Sequence, residues 1–355
     1  MTHHICLFTG ARPNFIKVAP LIHAIRKVAD CDYQLVYAGA ADDPTLEPSL
    51  FSDLQIDRPN AFLGVSCENL NELTGRVMGE FEDYLTHHPV DTVIVVDDLA
   101  STMAAAIVTK KRGIRLAHLV AGTRSFDISM PKEINRLVID GLSDLLFTAG
   151  IGSSSIAIRE GAENHKIYLV GNILMDTLRM NHTRWVRPAC ADTDDYLVFT
   201  LNRKALMADE QKLDRMLDVI AAHAGSLPVI APLRGTARQI VGRHGGFRIV
   251  EPLSYLEFGW LTSHARGIIT DSGNVAEEAT FNHVPCITLN SYTEHIETVK
   301  QGTNVLVGEN PDTLRTALTD MVAGRWKASS LPDRWDGRTA ERIVKILTAE
   351  ASKTF

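Results

Sequence analysis

The chain has little cysteine, few aromatics and no long run of either charge or apolar residues, and each shortage removes a class of protein. Its five cysteines (Cys6, Cys31, Cys67, Cys190 and Cys286) lie far apart, are odd in number and include no CxxC pair. Neither a disulfide framework nor a zinc site can be read from them. The histidines, His3, His4, His23, His87 and His88 among them, are scattered without ligand spacing, so no metal is expected. No apolar stretch approaches the roughly 20 residues that cross a bilayer. The opening MTHHICLFTG lacks the basic head and apolar core of a secretory signal and reads as a strand, so a cytoplasmic location is expected. The net charge of -7 comes from 43 acidic and 36 basic side chains with no block of one sign. That argues against a nucleic-acid or membrane surface and for a soluble metabolic protein with a small-molecule substrate.

What is present is a regular alternation. With 45% apolar residues, 355 residues exceed one ordinary core and suit two domains. Short apolar runs alternate with helix-length amphipathic stretches, the pattern of βαβ units and parallel sheets. Strands are expected at 4–9, 33–38, 92–96, 115–120, 145–149 and 166–171, with helices at 14–29, 68–86, 100–112 and 132–142. A second series follows at 195–201, 227–233, 247–252, 266–271, 285–290 and 304–308. The fold class is therefore α/β, with two doubly wound Rossmann-like domains facing across a cleft. Residues 1–172 form the first domain and 195–337 the second, with 173–194 as a polar linker. A last helix, 338–353, with the chain end to 355, is expected to rejoin the first domain. In such sheets ligands sit beyond the carboxyl ends of the strands.

The residues at those ends are chemically informative. The first strand runs into Gly10-Ala11-Arg12-Pro13-Asn14, ahead of a helix carrying Lys17. A glycine permits a tight turn, a helix N-terminus offers free N–H groups to an anion, and Arg12 and Lys17 add charge. The second domain repeats the arrangement at Thr270-Asp271-Ser272-Gly273-Asn274, before a helix carrying Glu277 and Glu278. Between them, Asp97-Asp98 ends the apolar strand TVIVV, and Pro131-Lys132-Glu133-Ile134-Asn135-Arg136 opens a helix. Each segment has a plainer reading as a turn, a cap or a first-turn acid. His118, inside an apolar strand, reads as a hydrogen-bonded core histidine.

Taken in order, these segments resemble the non-hydrolysing UDP-N-acetylglucosamine 2-epimerases, whose two-domain fold is like that of the GT-B glycosyltransferases. The family's G-T-R-P-E-x-I-K is similar to Gly10–Lys17, its H-V-E-A-G-L-R to His118–Arg124, its P-E-E-x-N-R to Pro131–Arg136, and its T-D-S-G-G-x-x-E-E-A to Thr270–Ala279. The resemblance implies elimination of UDP across C1–C2 of a UDP-2-acetamido sugar and its re-addition with C2 inverted, without a cofactor. It implies Asp98 and Glu133 as acid/base groups. It places Arg12, Ser272, Gly273 and Glu278 on UDP and Lys17, Asn135 and Arg136 at the sugar, with Arg203 and Asn274 as further substrate-binding residues. It also implies a homodimer.

Several positions depart from the family pattern. Val120 replaces the glutamate of H-V-E-A-G, and Asn202 replaces the histidine of H-R-R-E, leaving Arg203. His295 replaces the arginine of T-E-R-P-E, and Asp97 stands where G-D-T-T has glycine. Losing a positioned acid–base group costs roughly 10²–10⁴ in rate. Two alternatives therefore stand beside the epimerase: hydrolysis or glycosyl transfer of a UDP-sugar on the same scaffold, and a non-catalytic nucleotide-sugar-binding protein.

Overall fold

The computed structural model describes residues 2–351. The chain forms two compact units: the first runs to Met180 and resumes at Asp333, and the second is Asn181–Pro332. Among the described residues no helix is long and apolar enough to cross a membrane.

The first unit contains β1 (His3–Thr9), α1 (Arg12–Ile25), β2 (Cys31–Tyr37), α2 (Pro48–Leu54), β3 (Ala61–Phe62), α3 (Leu70–His87), β4 (Thr92–Val96) and α4 (Ala100–Lys111). It continues with β5 (Arg115–Ala121), α5 (Pro131–Leu142), β6 (Leu145–Thr148), α6 (Ile151–Arg159), β7 (Ile167–Leu169) and α7 (Ile173–Asn181). The strands form one parallel sheet in the order β3-β2-β1-β4-β5-β6-β7. β4 is buried along its whole length, which is why TVIVV reads as an unbroken apolar run. The chain leaves β1 in one direction and β4 in the other, so right-handed crossovers put α1 and α2 on one face and α3 to α6 on the other. There Phe81 of α3 and Ala104–Ala106 of α4 pack on Phe8, Val93 and Val95.

The second unit contains β8 (Leu197–Phe199), α8 (Lys204–Ala208), α9 (Glu210–His223), β9 (Val229–Pro232), α10 (Gly235–Val241), β10 (Phe247–Val250) and α11 (Tyr255–Ser263). Then follow β11 (Gly267–Thr270), α12 (Gly273–Phe281), β12 (Cys286–Thr288), α13 (Glu297–Lys300), β13 (Asn304–Leu306) and α14 (Pro311–Val322). Its parallel sheet has the order β10-β9-β8-β11-β12-β13. In both sheets the strand order reverses once, between β1 and β4 and between β8 and β11, and a doubly wound sheet places its ligand at that point.

Residues 173–180, expected in a linker, form most of α7 and belong to the first unit. Asn172 starts the helix by accepting the Leu174 amide at 3.0 Å, and Ile173, Leu174, Met175 and Leu178 are buried. The final helix α15 (Thr339–Ala351) also lies in the first unit and packs on α1. Its first amides, Thr339 and Ala340, donate to the Asp176 carboxylate of α7 at 3.0 and 2.8 Å. Burial nevertheless pushes the Asp176 carboxyl up to about 6. Residues 352–355, the end of the expected helix, lie outside the described residues.

Candidate functional site

In the first unit the site is built around the ends of β1 and β4. Gly10 leaves room where β1 turns into α1, because a Cβ there would sit 2.1 Å from Ser101 Oγ of α4 and displace that side chain. Asn14 closes the turn, its Oδ1 accepting the Gly10 and Ala11 amides at 2.9 and 3.1 Å. The same side chain donates from Nδ2 to Asp97 Oδ2 at 2.8 Å, and Lys17 Nζ reaches Asp97 Oδ1 at 2.5 Å. Lys17 is thus a buried cation held by Asp97. Arg12 makes a forked pair with Glu47, so its guanidinium already has a carboxylate partner.

Asp97 occupies the left-handed region at φ 59°, which Asp tolerates better than most residues. Its backbone is fixed by its neighbours: Asp97 N donates to Leu119 O at 3.2 Å, and His118 Nε2 donates to Asp97 O at 2.9 Å. His118 is buried, as its place in an apolar strand requires, and its Nδ1 lies 2.6 Å from Asp140 Oδ1. Arg124 pairs with Asp140 and Glu160 at 2.8 and 2.5 Å, which makes it part of the scaffold. Burial raises the Asp140 carboxyl, but the interactions with His118 and Arg124 outweigh it and hold it below the usual range.

Asp98 faces α5. Its Oδ2 accepts from Arg136 Nε at 2.9 Å and Nη2 at 2.5 Å, and Lys132 Nζ lies 3.3 Å from Oδ1. Asn135 Nδ2 donates to the Asp98 carbonyl at 2.8 Å. Burial pushes the Asp98 carboxyl up, yet Lys132, Arg136 and Lys17 together hold it below its ordinary value, so it is an anion near neutral pH. Glu133 is more constrained. Its Oε2 accepts Ser125 N and Oγ, both at 2.9 Å, and Arg136 Nη1 at 3.0 Å; Oε1 accepts Phe126 N at 2.9 Å. Those bonds outweigh burial and keep Glu133 ionised while it anchors the loop ahead of α5. Asp98, Glu133, Asn135, Arg136 and Lys17 are therefore gathered at one end of the sheet, with Asp97 as an added member.

Val120 has φ 73°, a left-handed conformation costly for a β-branched residue. Gly122 beside it, at φ 74°, has no room for a Cβ, which would meet Ser153 O at 2.3 Å. The β5 terminus keeps a tight turn although position 120 carries no polar group.

The second unit's site relies on backbone. Asp271, buried at the end of β11, accepts the Asn202 and Arg203 amides on Oδ2 at 2.7 and 2.6 Å, tying the ends of β8 and β11 together. Its Oδ1 has no hydrogen-bond partner, and burial raises its carboxyl. Ser272 caps α12, accepting Val275 N at 3.5 Å. Gly273 and Asn274 form the first turn of α12, whose amides point along the helix axis toward an anion. Glu278 is buried on α12, and His295 Nε2 lies 2.7 Å from Glu277 Oε1. Arg203 Nη1 donates to Asn290 Oδ1 and Glu309 Oε1, both at 3.0 Å.

Sequence reading did not find the partners Glu47 and Asp140, the bracing by Asn14 and Asp271, or a cavity of about 380 Å³ lined by Asn202, Lys204, Arg234 and Thr236. Glu47, Asp140 and Asp271 reach partners distant in the sequence, and Asn14 joins its own turn to Asp97, 83 residues on. Arg234 and Thr236 follow the β9 strand, the one position where the rule for strand ends would have pointed to them. Among the described residues no cluster of His, Cys, Asp or Glu could hold a metal ion.

A family model described as UDP-N-acetylglucosamine 2-epimerase matches residues 23–348. The UDP-N-acetylglucosamine 2-epimerase of Methanocaldococcus jannaschii is 32% identical, over 97% of this chain and 98% of that one. The UDP-2,3-diacetamido-2,3-dideoxy-D-glucuronate 2-epimerase of Pseudomonas aeruginosa is also 32% identical, over 96% and 99% of the two chains. A crystal structure of the M. jannaschii protein in complex with UDP-GlcNAc and UDP superimposes with a TM-score of 0.87, covering 98% of this chain and 99% of that one at 32% identity. Each of the two parallel sheets, with its flanking helices, is thus the α/β fold of these GT-B-like epimerases.

Proposed function

The chain belongs to the UDP-N-acetylglucosamine 2-epimerase family, and from that premise we propose that it inverts C2 of UDP-N-acetylglucosamine or a related UDP-2-acetamido sugar. The observation that carries the reading is Asp98: a half-buried carboxylate, ionised near neutral pH, held at 2.5 Å from Arg136 where the sheet order reverses.

Asp98 takes the proton from C2 as the C1–O bond breaks, and UDP leaves with that electron pair. The product beside it is a 2-acetamidoglucal. UDP adds back at C1 while a proton from solvent, relayed through Glu133, reaches C2 on its other face, and Asp98 gives its proton up to solvent, so atoms and charge balance with no cofactor. Glu133 is the second acid/base group. Arg136, Lys17 and Asn135 line the sugar. Arg12, Arg203, Ser272, Gly273, Asn274 and Glu278 hold UDP, the helix-end amides of α12 stabilising the departing diphosphate. The protein acts in the cytoplasm, and as a homodimer, the second of these favoured by exposed Ile134 and Leu137 of α5 and Ile151 and Ile158 of α6.

The test is incubation with UDP-N-acetylglucosamine in heavy water. Deuterium at C2 and a manno product are expected; neither appearing would remove that substrate. A second reading is favoured by Val120, which offers no acid–base group at the end of β5. UDP release that depends on water or an acceptor would identify a hydrolase or transferase. Tight UDP binding without turnover would identify a binding protein.

A further inference from the structure

In the first unit's strand-end cluster the cations are matched by carboxylates. Lys17 pairs with Asp97, Arg136 with Asp98 and Glu133, and Arg12 with Glu47, while the more exposed Lys132 lies 3.3 Å from Asp98. Four positive groups, Arg12, Lys17, Lys132 and Arg136, stand against four negative ones, Glu47, Asp97, Asp98 and Glu133. The formal balance is zero.

Asp97 is the member that sets this balance. It holds a left-handed backbone position at φ 59° that glycine would fill with least strain. Its carboxylate has little freedom, because Asn14 Nδ2 holds one oxygen at 2.8 Å and Lys17 Nζ the other at 2.5 Å. Asn14 is itself locked by the Gly10 and Ala11 amides. The Lys17 side chain is only 6% exposed. A cation so buried needs a counter-anion, and where the protein does not supply one, an acidic ligand will.

We propose that Asp97 is a specificity-determining residue: by holding Lys17 it withdraws the buried cation that would recognise an acidic sugar, so the chain takes a UDP-2-acetamido sugar with a neutral C6 and rejects the corresponding uronate. The proposal rests on the epimerase reading above and names the class of sugar within it. A uronate carboxylate entering the cluster would meet no unmatched buried cation and would add a negative charge beside Asp97 and Asp98. Discrimination then comes from repulsion as much as from fit.

The experiment compares UDP-N-acetylglucosamine with UDP-N-acetylglucosaminuronate by deuterium incorporation at C2 and by calorimetry, in the wild type, Asp97→Asn and Asp97→Gly. Wild type is expected to favour the neutral sugar by at least about tenfold in kcat/KM, and both variants to narrow that ratio about tenfold by lowering KM for the uronate. Asparagine preserves shape and glycine suits the backbone, and UDP titration with thermal melting verifies that each variant is folded. A merely structural Asp97 would lower both activities together and leave their ratio unchanged. The proposal is overturned by a wild-type preference for the uronate, or by folded, UDP-binding variants that keep the wild-type ratio. If neither variant folds, the wild-type preference decides. Absence of binding and exchange with both sugars would remove the epimerase reading, and this proposal with it.

Discussion

The two strand-end sites are built from different materials. The first unit's is made of charged side chains in mutual contact: Lys17 with Asp97, Arg136 with Asp98 and Glu133. The second unit's is made of backbone amides, with Asp271 joining the β8 and β11 ends and Ser272 opening α12. Proton transfer needs groups whose charge can change, whereas holding a diphosphate needs donors that stay put. On the proposed function, the same fold supplies a reactive end in one unit and a fixed cradle in the other.

The largest expected effect separates the two. Asp98→Asn should lower C2 exchange by about 10²–10⁴ while the affinity for UDP changes little, because the substitution removes a base without touching α12. Rapid-quench and calorimetric data on one preparation would show the split. Equal losses in exchange and UDP affinity would mean that the two ends are not distinct.

Asp176 gives a pH signature confined to the first unit. Its folded carboxyl is raised to about 6 by burial, so its contribution to stability is fully present below the unfolded value of about 3.9 and is lost as pH rises through about 6. The loss is on the order of 3 kcal/mol at most, from a shift of about two units at 1.36 kcal/mol each. Urea melts of wild type and Asp176→Asn between pH 4 and 8 should diverge in that window, the variant showing the flatter profile.

Asp271→Ala sharpens the comparison from the other side. It strands the Asn202 and Arg203 amides and should cost about 1–3 kcal/mol, read as a lower urea midpoint. UDP affinity should fall with it, while α5 and Asp98 remain in place. The smallest effect is a gain: Val120→Gly relieves φ 73° and should stabilise by a few tenths to about 1 kcal/mol, the unfolded-state entropy of glycine offsetting part of the relief.

Much of this was legible in the sequence, and the limits are physical. β4 is Thr92–Val96 as its apolar run predicts, since a strand buried on both faces cannot be mistaken for an exposed one. The motifs fall at strand ends because the doubly wound fold puts them there. α7 escaped because the stretch from Asn172 to Asp195 is polar on average, and the local apolar set from Ile173 to Leu178 was lost within it. β3 is two residues long, too short for any periodicity. The pairings were the least legible: Arg12 finds Glu47 from 35 residues away and Lys17 finds Asp97 from 80, and spacing along a chain says nothing about contacts closed by a sheet. Glu133 was visible as an acid, but its engagement with Ser125 and Phe126 depends on a loop conformation.

Calorimetric titration with UDP tests the division of labour most directly. Saturable binding is expected, weakened by Ser272→Ala through loss of the α12 cap and left nearly intact by Asp98→Asn. No heat of binding up to about 1 mM UDP, a limit of only about 4 kcal/mol of affinity, would contradict it.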